Sequence, residues 1–266
     1  MPSRPRHRFR HLPASPRYLA GTWPRGADAM QAVSFGAPCS RRDLLFICQW
    51  AGLGASRWSR RLVPTPALRR LAAVAARNAS GNSYHHAGHF AHVVMAAGLL
   101  AARADLRHED RGLLVFAGLV HDLGHQGRRA VSRHYHQERR SARQTVRLIA
   151  GRGGDARLAW RLHSLLRATA LTNDSARSAI LESDRLARFL TDADIFASVA
   201  YPRNRSLALT RALKLEQRLP GPVAELNRRF AEMVGATGLQ SAVARDMLRT
   251  VFDARHPTHN AVSLDD

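Results

Sequence analysis

From about residue 41 onwards, apolar positions recur at helical spacing. The period runs through residues 44–50, 67–76, 85–102, 113–121, 142–150, 156–168, 179–190 and 223–233. Gly151 to Gly154 interrupts it, and so does Tyr201-Pro202. No stretch alternates β-branched and polar residues for long enough to make a strand. The pattern predicts an all-α fold, with one helical domain of eight to ten helices over residues 41–266. Residues 113–120 are apolar all round, which predicts a helix buried on every side.

Composition sets residues 1–40 apart. Six arginines and the prolines Pro2, Pro5, Pro13, Pro16 and Pro24 precede the first acidic residue, Asp28. Such density of proline and like charge opposes a packed core, so 1–40 reads as a basic, proline-rich, disordered extension. Translation starting upstream of a true start at Met30 is an equivalent reading; a nucleic-acid arm or transit peptide is the alternative. The whole chain carries a formal charge of +21, and Lys214 is its only lysine. An arginine bias this complete fits a GC-rich genome, which weakens charge as a guide to partners. A cationic protein nevertheless attracts phosphates. Cys39 and Cys48 have neither disulfide-framework numbers nor metal spacing. The longest apolar runs are too short to span a bilayer, and the first thirty residues lack a secretory apolar stretch. The expectation is a soluble, cytoplasmic protein with no membrane partner.

Chemistry concentrates between His85 and His136, where nine of the fourteen histidines fall. On a helix, His85, His89 and His92 share one stripe, from which imidazoles can converge on a metal and a substrate beside it. The apolar helix over 113–120 delivers His121 and Asp122 from its last turn, with Gly124 turning the chain towards His125. An adjacent imidazole and carboxylate are costly to bury without a cation. Asp192 and Asp194 emerge from a third apolar helical context. They lie about 200° apart on a helix, so only one can face the site. Two imidazoles and two carboxylates suit Mn, Fe, Co or Zn.

The order His89, then His121-Asp122, then Asp194 resembles the H…HD…D signature of the HD-domain metal-dependent phosphohydrolases. Within that superfamily, Tyr84-His85-x-x-x-His89 and His121-Asp122-x-x-His125-x-Gly127 are most similar to the cyclic nucleotide phosphodiesterase catalytic domain. Arg167-Ala168-Thr169 and Ala193-Asp194-Ile195 resemble its later landmarks. The likeness covers about residues 84–196.

The resemblance implies that His89, His121, Asp122 and Asp194 bind one divalent metal, with Asp122 bridging to a second. The ions would be Mn, Mg, Fe, Co or Zn. It implies His85 as general acid, His125 beside a metal-bridging hydroxide that attacks phosphorus, and Glu138 as an acidic group behind the ligands. His86, His92 and Gln126 depart from the family's usual Asn, Asp and Pro. No purine-gripping glutamine stands out, although Gln217 and Gln240 are available. The implied substrate is a cyclic nucleotide or related small phosphate ester. Alternatives are an HD-type hydrolase of nucleoside monophosphates, triphosphates or an alarmone, and a non-catalytic module that binds metal and nucleotide. No binding motif accompanies the arginines, so no specific nucleic acid is expected.

Overall fold

The computed structural model describes residues 12, 14–34, 39–54, 57–78, 82–125, 127, 136–150, 156–170 and 174–255. These residues form fourteen helices and, among themselves, no strand. In chain order they are α1 (Pro16–Gly21), α2 (Ala27–Ser34), α3 (Arg41–Trp50), α4 (Arg57–Leu62), α5 (Thr65–Asn78), α6 (Ala87–Arg103) and α7 (His108–Val120). There follow α8 (His136–Ala150), α9 (Ala156–Arg167), α10 (Ser175–Ser183), α11 (Arg185–Ala200), α12 (Arg203–Gln217), α13 (Val223–Thr237) and α14 (Ala242–Arg255).

Helix α6 is the axis. Its residues from Ala87 to Ala102 are all buried, and α1, α2, α3, α7 and α11 pack around it. A helix without a polar face must be surrounded to be stable in water. Small residues let its neighbours come close: a Cβ on Gly98 would lie 2.9 Å from the Cβ of Ala51. The apolar stretch of α7 is buried from Leu114 to Val120, as its pattern predicts. It therefore ends inside the protein, and His121 follows at a buried position.

The helix count exceeds the expected eight to ten for identifiable reasons. Residues 179–190 read as one helix, but Asp184 divides them into α10 and α11. Its carboxylate accepts from the amides of Leu186 (2.9 Å) and Ala187 (3.4 Å), capping α11, and pairs with Arg161. The expectation that residues 1–40 are a disordered extension does not hold over α1 and α2. Leu19 and Met30 are wholly buried in the core, and Trp23 donates to the Met247 carbonyl at 2.9 Å. A few large apolar anchors outweigh the unfavourable composition around them. Residues 1–11 lie outside the described residues. No described helix is long and apolar enough to cross a membrane.

Candidate metal centre

Three helices bring four side chains to one point. His89 comes from the first turn of α6, His121-Asp122 from the turn after α7, and Asp194 from α11. Their ligand atoms all lie within 4.8 Å of one another. His89 Nε2 stands 3.0 Å from His121 Nε2 and 3.2 Å from Asp194 Oδ1. His121 Nε2 is 3.1 Å from Asp122 Oδ2 and 3.4 Å from Asp194 Oδ1, and His89 Nε2 is 3.6 Å from Asp122 Oδ2.

These separations fit a divalent cation. Donors at ~2.1 Å from one ion lie roughly 3.0–3.4 Å from their neighbours in tetrahedral or octahedral coordination. The tautomer fits as well. His121 Nδ1 donates to the Gly118 carbonyl at 2.9 Å, which leaves Nε2 as a lone pair pointing at the centre. The electrostatics agree. Burial works against charge on all four groups, yet Asp122 and Asp194 outweigh it and hold both imidazoles above their ordinary range. The imidazoles in turn hold both carboxyls below theirs.

A second cluster adjoins the first. His85 precedes α6 and does not belong to it, so it reaches the pocket from the loop and not from the helical stripe. Its Nε2 lies 3.5 Å from Asp122 Oδ2, and its Nδ1 bonds Glu216 Oε1 from the last turn of α12. Glu216 Oε2 accepts the amides of Tyr84 at 2.7 Å and His85 at 2.9 Å. Burial opposes the charge on Glu216, but the His85 ring and these amides bring its carboxyl down to about 2. The His125 ring stacks on His85 with centroids 3.7 Å apart. Its Nδ1 accepts from the Gly127 amide at 3.1 Å, so the proton of the neutral ring sits on Nε2. Burial pushes His125 down to about 4, so it is neutral at physiological pH. Asn82 ties the two loops together, donating to the carbonyls of His85 (3.3 Å) and His125 (3.0 Å). The sharp turn between α7 and His125 depends on Gly124, whose φ is +82°.

Residues 87–198 match the family model of the HD domain. The match contains His89, His121, Asp122 and Asp194, while His85 and Glu216 flank it on either side. Among solved structures, the phosphodiesterase domain of the RhoPDE fusion protein from the choanoflagellate Salpingoeca rosetta is similar. It has a TM-score of 0.51 at 12% identity, covering 82% of this chain and 92% of that one. At that identity the likeness is one of fold. No curated protein matches the chain by sequence.

Within the matched stretch the two carboxylates of α11 separate cleanly. Asp194 joins the metal group, whereas Asp192 accepts the amides of Gln240 at 2.6 Å and Ser241 at 2.8 Å at the start of α14. His92, placed by spacing on the stripe of His85 and His89, turns to Tyr201, whose hydroxyl lies 2.7 Å from its Nδ1. His86 caps α6, its Nδ1 accepting from Gly88 at 2.9 Å. Glu138, in the first turn of α8, has its carboxyl raised by burial and then by the charges of Asp122 and Asp194. Gln217 donates to Glu216 at 3.4 Å. Gln126 lies outside the described residues. Glu216 and Asn82 carry no local signature in the sequence; only the packing of α12 and of residue 82 against the histidine loops brings them in.

Proposed function

We propose that the chain is a metal-dependent phosphohydrolase that cleaves a phosphodiester, such as a cyclic nucleotide or related small phosphate ester, with His85 as general acid. The observation that carries the reading is the His85 imidazole held between Glu216 and Asp122, beside four ligand groups spaced for a cation. His89, His121, Asp122 and Asp194 would hold the metal. When bound, a divalent ion makes a nucleophile available from water near neutral pH and offsets charge on phosphoryl oxygens.

The chain's own residues do the rest. Glu216 fixes the His85 ring through Nδ1, so Nε2 is the atom presented to the pocket. That nitrogen gives its proton to the departing ester oxygen. His125, neutral and protonated at Nε2, donates a hydrogen bond and removes no proton. A module that only bound nucleotide would have no use for a proton donor braced by its own buried carboxylate.

A second reading, hydrolysis of a nucleotide with several phosphates, is favoured by Arg139, Arg140 and Arg143 on α8. None of them has an ion pair among the described residues. A Cβ on Gly124 would lie 3.3 Å from Arg140 Nε, which puts that side chain beside the His121–His125 turn. The deciding experiment is a hydrolysis screen of purified protein against cyclic and linear nucleotides with Mn, Mg, Co, Fe and Zn. Turnover of cyclic or other phosphodiesters, lost together with bound metal in His121→Ala or Asp122→Ala, supports the reading. Full metal occupancy in both variants sinks it.

A further inference from the structure

A cavity of about 860 Å³ opens between α11, α12, α13 and α14. None of the metal group or its neighbours His85, His125 and Glu216 lines it. Tyr201 is the shared wall between this cavity and a smaller one of about 190 Å³ that His89 and His92 line. The larger cavity therefore holds none of the groups proposed for the phosphate chemistry, and Tyr201 is what separates the two spaces.

Its walls are of two kinds. Val199, Val234, Leu239 and Leu248 supply apolar surface. The polar part is braced: Asn227 Nδ2 donates to Ser206 Oγ at 2.8 Å and to Thr210 Oγ1 at 3.0 Å, and Ser206 Oγ donates to the Ser198 carbonyl at 2.8 Å. These bonds lock α11, α12 and α13 together around the space. The charge is one-sided. Arg203, Arg245 and Arg249 line the cavity, and no acidic side chain does so among the described residues. Arg249 is engaged by Asp246 at 2.6 Å. Arg245 is anchored through Nη1 to the Leu239 carbonyl at 2.5 Å, and Arg203 has no ion pair among the described residues.

We propose that this cavity is a binding site for an amphipathic organic anion, an aliphatic or aromatic body carrying one carboxylate, sulfonate or phosphate. The volume falls within the ~300–1,000 Å³ of small-molecule sites. A neutral apolar ligand would fill the walls and leave Arg203 without a counter-charge. A small hydrophilic anion would satisfy the arginines and leave the apolar walls in contact with water. A molecule with both parts satisfies both, with its body between Val199 and Leu248 and its anionic head at Arg203 and Arg245.

The test is fluorescence titration of the full chain with two probes that share a body and differ in charge: anilinonaphthalene sulfonate and its uncharged parent, phenylnaphthylamine. Saturable binding of the sulfonate at one site per chain is expected. Arg203→Glu, at an exposed position, should weaken the sulfonate on the order of tenfold or more and the uncharged probe by less than about twofold. Ala231→Trp, which projects bulk from α13 into the cavity, should weaken both. Unsaturable binding, indifference to Ala231→Trp, or equal loss for both probes in Arg203→Glu overturns the proposal.

Discussion

Glu216 grips His85 from two directions, bonding the ring at Nδ1 through Oε1 and accepting the backbone amides of Tyr84 and His85 through Oε2. An amide in its place cannot do both. If a glutamine side chain there kept its oxygen on the two backbone donors, its NH₂ would meet Nδ1, which could then carry no proton, and the doubly protonated ring that donates from Nε2 would be lost. Glu216→Gln should therefore retain metal and KM while kcat falls roughly 10²–10⁴-fold, as when the carboxylate orienting a catalytic imidazole is neutralised. Elemental analysis and steady-state kinetics on the same preparation check this. A fall in metal content parallel to the fall in kcat would show that Glu216 serves the metal group instead.

His85 itself should behave as a proton donor and not as a ligand. It stands beside Asp122 at 3.5 Å but outside the four-membered metal group. His85→Ala should keep its metal and lose roughly 10²–10⁴-fold in turnover of an ester with a basic leaving group. For a p-nitrophenyl ester, whose leaving group needs no proton, the loss should be much smaller. Equal slowing of both esters, with metal still bound, would recast His85 as a phosphate-positioning group.

Asp192 and Asp194 sit two residues apart on α11 and should give opposite phenotypes. Asp194→Asn should release metal and abolish hydrolysis. Asp192→Asn should keep both but lose stability, because the amide nitrogen would face one of the two backbone donors at Gln240 and Ser241. A buried donor left unsatisfied costs about 1–3 kcal/mol. Metal analysis and thermal unfolding of the two variants separate the roles, and loss of metal from Asp192→Asn would reverse the assignment.

The contrast between these two aspartates shows what the sequence could and could not reveal. Helical geometry said that only one of them faces the site. Which one depended on the two residues before α14, whose amides lie nearly fifty positions away and claim Asp192. The candidate ligands His89, His121 and Asp194 were legible because each belongs to or directly follows an apolar helical run that has no other use for a charge. Glu216 was not, since it ends the ordinary amphipathic α12 and acquires its role only where that helix meets residues 84–85. Two histidines depart from the stripe for different reasons: His85 lies before α6, which starts at Ala87, while His92, within α6, is claimed by the Tyr201 hydroxyl. Composition similarly hid α1 and α2, because proline and arginine counts say nothing about Leu19 and Met30, two buried anchors.

The Glu216–His85 contact should also leave a mark on acid stability. Burial alone would raise the Glu216 carboxyl, but the His85 ring and two amides bring it to about 2, below its ordinary value of 4.5. A carboxyl with a depressed folded pKa is ionised in the native state while its unfolded counterpart takes up a proton. Its stabilising contribution is therefore complete above pH ~4.5 and disappears as pH falls towards ~2. Wild-type protein freed of metal should lose stability across that window, and Glu216→Gln should lose less of it because an amide does not titrate. The measurement is denaturant unfolding of both proteins at several pH values between ~2 and ~6. The stability gap between them should shrink as pH falls, since the wild type gives up an interaction that the variant never had. A gap that stays constant with pH would mean that Glu216 is no more ionised in the folded chain than in the unfolded one. The support that a charged Glu216 gives to the doubly protonated His85 ring would then be lost with it.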